Sequence, residues 1–225
     1  MLNEAIRLLI QLRDENQAKI ESILAAISSN RDKLPLSSEG IVTLISQHLA
    51  CKHASRLPVL IIAAAYKSVE EKIGEKVLPL NSHNAADFQT ASLGDIEICL
   101  VNDEAIVTAY EMKLKKVTTD DIDTAITKLS RSEYKIDNYL FITTDEIYPS
   151  VSDYAASFYE ISGGTEIAIL DCIGFIRSFL HLFHRNRMEF VDFYQDLVLS
   201  EPDSAVSQAL KEAFLALRRV AEANE

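Results

Sequence analysis

The 225-residue chain holds three cysteines, Cys51, Cys99 and Cys172, and none belongs to a CxxC pair. That spacing excludes a zinc ribbon and points to a reducing compartment, so a cytoplasmic location is expected. Long apolar runs are also missing. IVTLISQHLA and LPVLIIAAAY are too short and too polar at their flanks to cross a bilayer. In MLNEAIRLLIQLRDE, Glu4, Arg7 and Arg13 interrupt any signal-like stretch, so no membrane partner is expected. Basic residues are outnumbered, 22 against 34 acids, for a net charge of −12. A chain with that balance does not coat nucleic acid through its bulk field. Internal repeats and low-complexity tracts are absent.

What is present is ordinary globular composition, 48% apolar and 25% charged, long enough for one real core with a helical annex. Charge is unevenly spread: residues 1–76 carry 10 basic and 9 acidic side chains, whereas residues 118–160 carry 3 and 9. An anionic partner must therefore be met locally, away from the acidic segment.

Apolar residues at helical spacing over 2–29 (Ile6, Leu9, Ile10, Ile20, Leu24, Ile27) predict one amphipathic helix or a pair. SSEGIVTLISQHLACK predicts another, capped by Ser37 or Ser38. A third spans 57–73, with Pro58 in its first turn and Gly74 closing it, and its LPVLIIAAA portion, apolar all round, belongs deep in the core. The period then changes. DIEICLV and EAIVTAYEMKL alternate as strands. TTDDIDTAITKLSR is a helix, NYLFITT a buried parallel strand, VSDYAASFYEIS a helix and EIAILD a strand. From 172 onward CIGFIRSFLHLFHRNR, EFVDFYQDLVL and AVSQALKEAFLALRRVAEA are helical. The order predicts an α/β fold with a mixed sheet flanked by helices and helical extensions at both ends.

The two alternating strands, within ASLGDIEICLVNDEAIVTAYEMKLKK, carry the chemistry. A turn at Asn102–Glu104 pairs Val101 with Ala105 and, further out, sets Asp95 opposite Glu111. Directly opposed residues project from one face. Asp95, Glu97 and Cys99 then share a face with Glu111 and Lys113, while Ile96, Ile98, Leu100, Met112 and Leu114 point into the core. A loop one residue longer or shorter would separate the two carboxylates. Opposed carboxylates repel unless a cation lies between them, and Mg²⁺ takes such oxygen ligands together with water and phosphate oxygens. Lys113 reaches the same place and can hydrogen-bond or help deprotonate an attacking water. The residue types fit phosphodiester hydrolysis. Glu-x-Lys alone is weak, since Glu70–Lys72 and Glu133–Lys135 repeat it, but only Glu111–Lys113 lies on an apolar strand beside a strand bearing Asp at matching parity. The bland alternative is an edge hairpin whose charges face water.

GDIEI followed by YEMK resembles the metal site of the PD-(D/E)XK nucleases, the superfamily of many type II restriction endonucleases. The αβββαβ core of that superfamily matches the order over roughly residues 55–145. More narrowly, RLPVLIIAAAYKSV, LPLNSHNAADFQTASLGDIEI, EMKLKK and YLFITT together resemble the SacI-type restriction endonucleases. The resemblance implies Asp95 and Glu111 as Mg²⁺ ligands and Lys113 as catalytic lysine, with Glu70 or Glu71 as a further acid from the first core helix. Gly94 departs from the motif, which has proline there. The chain divides on this reading into a helical region 1–54, a nuclease core 55–171 and a helical region 172–225.

The implied function is a Mg²⁺-dependent, sequence-specific double-stranded DNA endonuclease, a homodimer if it cuts both strands of a palindrome. A repair or recombination nuclease of the same fold is the first alternative, and a non-catalytic interaction module the second. Arg56, Lys115 and Lys116 are candidate phosphate contacts. Arg177, His181, His184 and Arg185, at i, i+4, i+7 and i+8, form a basic stripe that either meets DNA or faces water. His83 and Asp87 precede the hairpin, where a turn or capping role competes with a place at the site.

Overall fold

The computed structural model describes residues 2–28, 34–80, 92–133 and 135–224; His83 and Asp87 lie outside them. A single long helix, α1 (Leu2–Ser28), leads into α2 (Ser38–Leu49), whose N-terminus is capped by the Ser37 hydroxyl accepting from Gly40 N–H. The apolar stretch forms α3 (Leu57–Lys67) with Pro58 in its first turn, and its residues 57–65 are all buried. The expected 57–73 helix is interrupted. A short α4 (Glu70–Ile73) follows the break and ends on Gly74, in the left-handed region at φ 71°. The break turns the chain into β1 (Glu75–Val77), a three-residue strand that the alternation did not reveal.

The hairpin is β2 (Ile96–Leu100) and β3 (Ile106–Lys113). The remaining elements are α5 (Thr119–Arg131), β4 (Asn138–Thr143), α6 (Pro149–Ala156), β5 (Glu166–Asp171), α7 (Cys172–Leu182), a 3₁₀ turn (His184–Asn186), α8 (Arg187–Ser200) and α9 (Gln208–Asn224). The five strands lie in chain order. β1 and β2 run antiparallel to their successors, and β3, β4 and β5 are mutually parallel, so the sheet is mixed.

Helices cover both faces. On one, α2, α3 and α7–α9 enclose Ile96, Ile98, Tyr110 and Ile142. On the other, Ile122 and Ala125 of α5 and Ala155 of α6 pack on Ala109, Tyr139, Phe141 and Ile167. The sheet therefore forms the middle of three layers, and residues from 36 to 215 share the larger core. Two departures from simple alternation appear. Cys99 is buried, although its face was assigned to the polar side. Leu100 and Leu114, expected in the core, sit at strand ends and are 44% and 52% exposed.

Candidate active site

The hairpin register agrees with expectation where it matters and differs at the turn. Ile96 pairs with Tyr110, Glu97 with Ala109 and Ile98 with Thr108, which sets Asp95 opposite Glu111 one step beyond the last pair. Nearer the turn, Cys99 pairs with Ile106, so Val107 bulges out of the β2 ladder. The connection is therefore not the three-residue loop with Val101 paired to Ala105. It runs over 101–105; the Cys99–Ile106 pair shifts the register by one residue at the turn, and the bulge restores the parity that sets Asp95 opposite Glu111.

Asp95 sits in a bend held by four contacts. Glu97 Oε1 accepts from Leu93 N–H at 2.7 Å and lies 3.1 Å from the Ser92 hydroxyl, which is also 2.7 Å from the Gly94 carbonyl oxygen. Asp95 Oδ2 accepts from Met112 N–H at 2.7 Å, taking the place of a ladder carbonyl beside β3. Gly94 packs so close to β3 that any Cβ would collide with the backbone carbonyl of Tyr110. That close approach accounts for glycine where the motif has proline, because proline too carries a Cβ.

Glu111 projects from the middle of the sheet toward α5. Its Oε1 lies 3.3 Å from Lys113 Nζ, and its Oε2 accepts from Lys128 Nζ at 3.2 Å. The Tyr139 hydroxyl, from β4, lies 3.2 Å from the same Oε2 and 3.0 Å from the Leu93 carbonyl oxygen. One phenol thus spans the segment leading to Asp95 and the carboxylate of Glu111. Lys113 Nζ also meets Asp121 Oδ1 at 3.0 Å. Burial pulls the Lys113 ammonium down, but Asp121 and Glu111 outweigh it and its pKa stands above the ordinary lysine value.

Asp121 comes to the site through a helix cap. Thr118 and Asp121 form a capping box, with Asp121 Oδ2 accepting from Thr118 N–H at 2.9 Å and from its hydroxyl at 2.8 Å. Partial burial would raise the Asp121 carboxyl, yet the Thr118 donors and Lys113 hold it below its usual range. Asp121, Lys128 and Tyr139 were not singled out in the sequence. The signal was present for two of them: Asp121, Ile122, Ala125 and Lys128 fall on one helical face, and Ile122 and Ala125 are core residues, so that face meets the sheet. Tyr139 is readable only after Ala109 is known to pair with it.

The other predicted contacts do not gather here. Glu70 lies at the far end of β2: Gly74, which closes α4, accepts from Val101 N–H, and Glu70 acts with Asp103 and Glu104 on Cys99. Arg56 is 5% exposed and bonds Glu201 Oε1 at 2.9 Å, so it braces α3 from inside and is not presented to a phosphate. Lys115 is exposed just beyond β3, its carbonyl accepting from the Thr143 hydroxyl. Lys116 bonds the Tyr148 hydroxyl and, at 3.0 Å, Glu146, with its ammonium 4.3 Å above the Tyr148 ring. The basic stripe is not one helix face. α7 ends at Leu182, so His184 and Arg185 occupy the 3₁₀ turn, while Arg177 and His181 both pair with Glu39 of α2.

Among the described residues no group of three or more His, Cys, Asp or Glu side chains is arranged to hold a metal ion. Mg²⁺ does not require one: it keeps several waters and is commonly held by one or two carboxylates plus substrate phosphate. Asp95 and Glu111 supply such a hard-oxygen pair, so the residues present fit the ion.

No curated protein matches this chain. Residues 35–144, from just before α2 to just past β4, match the family of the SacI restriction endonuclease C-terminal domain. The mixed five-stranded sheet with helices on both faces is consistent with a restriction-endonuclease-like fold. Over residues 35–144, then, the chain is similar to the SacI-type restriction endonucleases.

Proposed function

We propose that the protein is a Mg²⁺-dependent endonuclease that hydrolyses phosphodiester bonds of double-stranded DNA at a specific sequence, with Asp95, Glu111 and Lys113 as its PD-(D/E)XK set. The coarser statement needs no proposal: a restriction-endonuclease domain implies a nuclease acting on DNA. The observation that carries the finer one is the convergence of Glu111, Lys113 and Asp121 around the bend that presents Asp95.

In this reading Asp95 and Glu111 hold the ion, and the ion supplies Lewis-acid stabilisation of charge on the phosphate. The chain's own residues do the rest. Tyr139 and the Glu97-braced bend fix the two carboxylates relative to each other. Lys113 directs its ammonium toward the phosphate or the attacking water, and Asp121 limits its excursions. Lys115 and Lys116, just past β3, are the proposed flanking phosphate contacts.

A homodimer is the proposed assembly, because two-fold symmetry presents two sites to the two strands of a palindrome. The first turns of α1 support it: Leu2, Ile6, Leu8, Leu9, Ile10 and Leu12 are exposed apolar residues, and such patches mark association surfaces. Light scattering on Leu9→Glu would show a monomer; an unchanged dimer would place the interface elsewhere. The three free thiols suit the cytoplasm.

The decisive experiment incubates the protein with mixed-sequence bacteriophage DNA and Mg²⁺ beside an EDTA control. Discrete fragments that vanish with EDTA are expected. A smear would replace sequence specificity with the repair or recombination alternative. Fragments that persist in EDTA would refute metal dependence.

A further inference from the structure

Glu111 is more heavily neutralised than a waiting metal ligand needs to be. Lys113 lies on one oxygen, and Lys128 and Tyr139 lie on the other. Lys113 is the lysine of the Glu-x-Lys pair and is also held by Asp121. Lys128 comes from a different element, two helical turns beyond Asp121, and none of the roles so far assigned uses it. The two side chains are only 21% and 16% exposed, so their mutual attraction is weakly screened. A carboxylate oxygen that coordinates a dication cannot keep the same close pairing with an ammonium, because the two cations repel across it.

We propose that Lys128 is a second phosphate-binding lysine whose availability is controlled by the metal. In the metal-free protein its ammonium pairs with Glu111. When Glu111 coordinates a divalent cation, the ammonium leaves that oxygen and swings on its flexible four-carbon stem to a DNA phosphate oxygen. Tyr139, which also donates to Glu111, keeps the carboxylate in place through the exchange. No covalent bond forms or breaks; one ion contact is traded for another.

Charge balance favours this course. Asp95, Glu111 and Asp121 against Lys113 and Lys128 leave the metal-free cluster at a formal −1. A bound Mg²⁺ makes it +1, and a phosphate monoanion returns it to zero. Metal and DNA therefore bind with positive coupling, and thermodynamic reciprocity requires each to strengthen the other equally. Lys128 lowers metal affinity in the absence of DNA and returns that free energy when the phosphate arrives.

This inference rests on the metal-site reading above, and the test separates the two. Mg²⁺ is titrated calorimetrically into the full chain as wild type, Lys128→Met and Lys128→Arg. Anisotropy of a labelled mixed-sequence duplex then measures DNA affinity with and without Mg²⁺. In Lys128→Met, Mg²⁺ alone should bind roughly three- to tenfold more tightly, the size of one ion pair in this exposure range. The gain in DNA affinity on adding Mg²⁺ should shrink by about threefold or more, while Lys128→Arg keeps both wild-type values. A residue that merely props the fold would leave Mg²⁺ affinity unchanged or weaken it, and either result overturns the proposal. If Lys128→Met does not fold, Lys128→Gln replaces it under the same expectations. Wild-type protein that binds no Mg²⁺, with DNA or without, would instead remove the metal reading and this inference together.

Discussion

At the scale of single residues, Asp95 and Gly94 do different work at adjacent positions. Asp95 accepts from Met112 N–H, so truncation removes both a proposed ligand and a backbone partner. Asp95→Ala should therefore lose cleavage and also about 1.5–3 kcal/mol of stability, the range for a hydrogen bond to a charged group. Asp95→Asn keeps an acceptor oxygen and should lose cleavage with little change in melting temperature. Cleavage surviving the Asp95→Asn substitution would remove Asp95 from the site. Glu111→Gln should abolish cleavage as well. Gly94→Ala acts through position alone: its methyl has no room beside the Tyr110 carbonyl. It should cost about 1–3 kcal/mol, as overpacking does, and displace the bend enough to lose turnover. A Gly94→Ala protein with wild-type melting and activity would show that β3 yields there.

At the scale of elements, the capping box of α5 serves the site as well as the helix. Thr118→Ala should cost about 1 kcal/mol through the lost cap. It also releases Asp121 from one of its three partners, so cleavage should fall more than the stability loss explains; equal scaling of the two would make the cap purely structural. This element shows what the sequence can and cannot reveal. Thr118, the helix and the carboxylate at its third position are all legible, and β4 and β5 lie where the pattern places them because apolar runs between turn signals mark buried parallel strands. β1 is not legible: three residues, two of them charged, have no period to detect. A 57–73 helix is too long because its break answers to β1, a partner invisible to local pattern. The basic stripe of Arg177, His181, His184 and Arg185 fails for a related reason, since helical spacing holds only while the helix continues. Asp95 and Glu111 face each other as expected although the turn differs. Facing positions depend on parity alone, and the Val107 bulge restores it.

At the scale of the whole molecule, one buried histidine joins three helices. His48 of α2 lies 3.0 Å from the Leu210 carbonyl oxygen of α9 and 2.9 Å from the Tyr194 hydroxyl of α8. The carbonyl can only accept, so Nε2 carries the proton and Nδ1 takes the tyrosine's. Burial pushes the imidazole down to about 4, opposed by the Leu210 bond. The unfolded chain then binds a proton that the native state refuses at mildly acid pH. Stability should be fullest above pH ~6.5 and decline toward pH ~4, by up to about 3 kcal/mol from this group. Chemical denaturation across that window should show the slope, and His48→Gln should flatten it; an unchanged slope would assign the loss to the carboxylates. Beyond stability, the shared core bears on inheritance. The stretch that matches the SacI-type family ends beside β5, yet Ile176, Phe190, Tyr194 and Phe214 beyond it wall the core that holds Tyr110 and Ile142. A genetic exchange with its breakpoint at residue 144 would hand a relative the strands of the proposed site without their inner wall. Lineages carrying this site should thus have passed it on with the distal helices, the whole sandwich moving as one heritable unit.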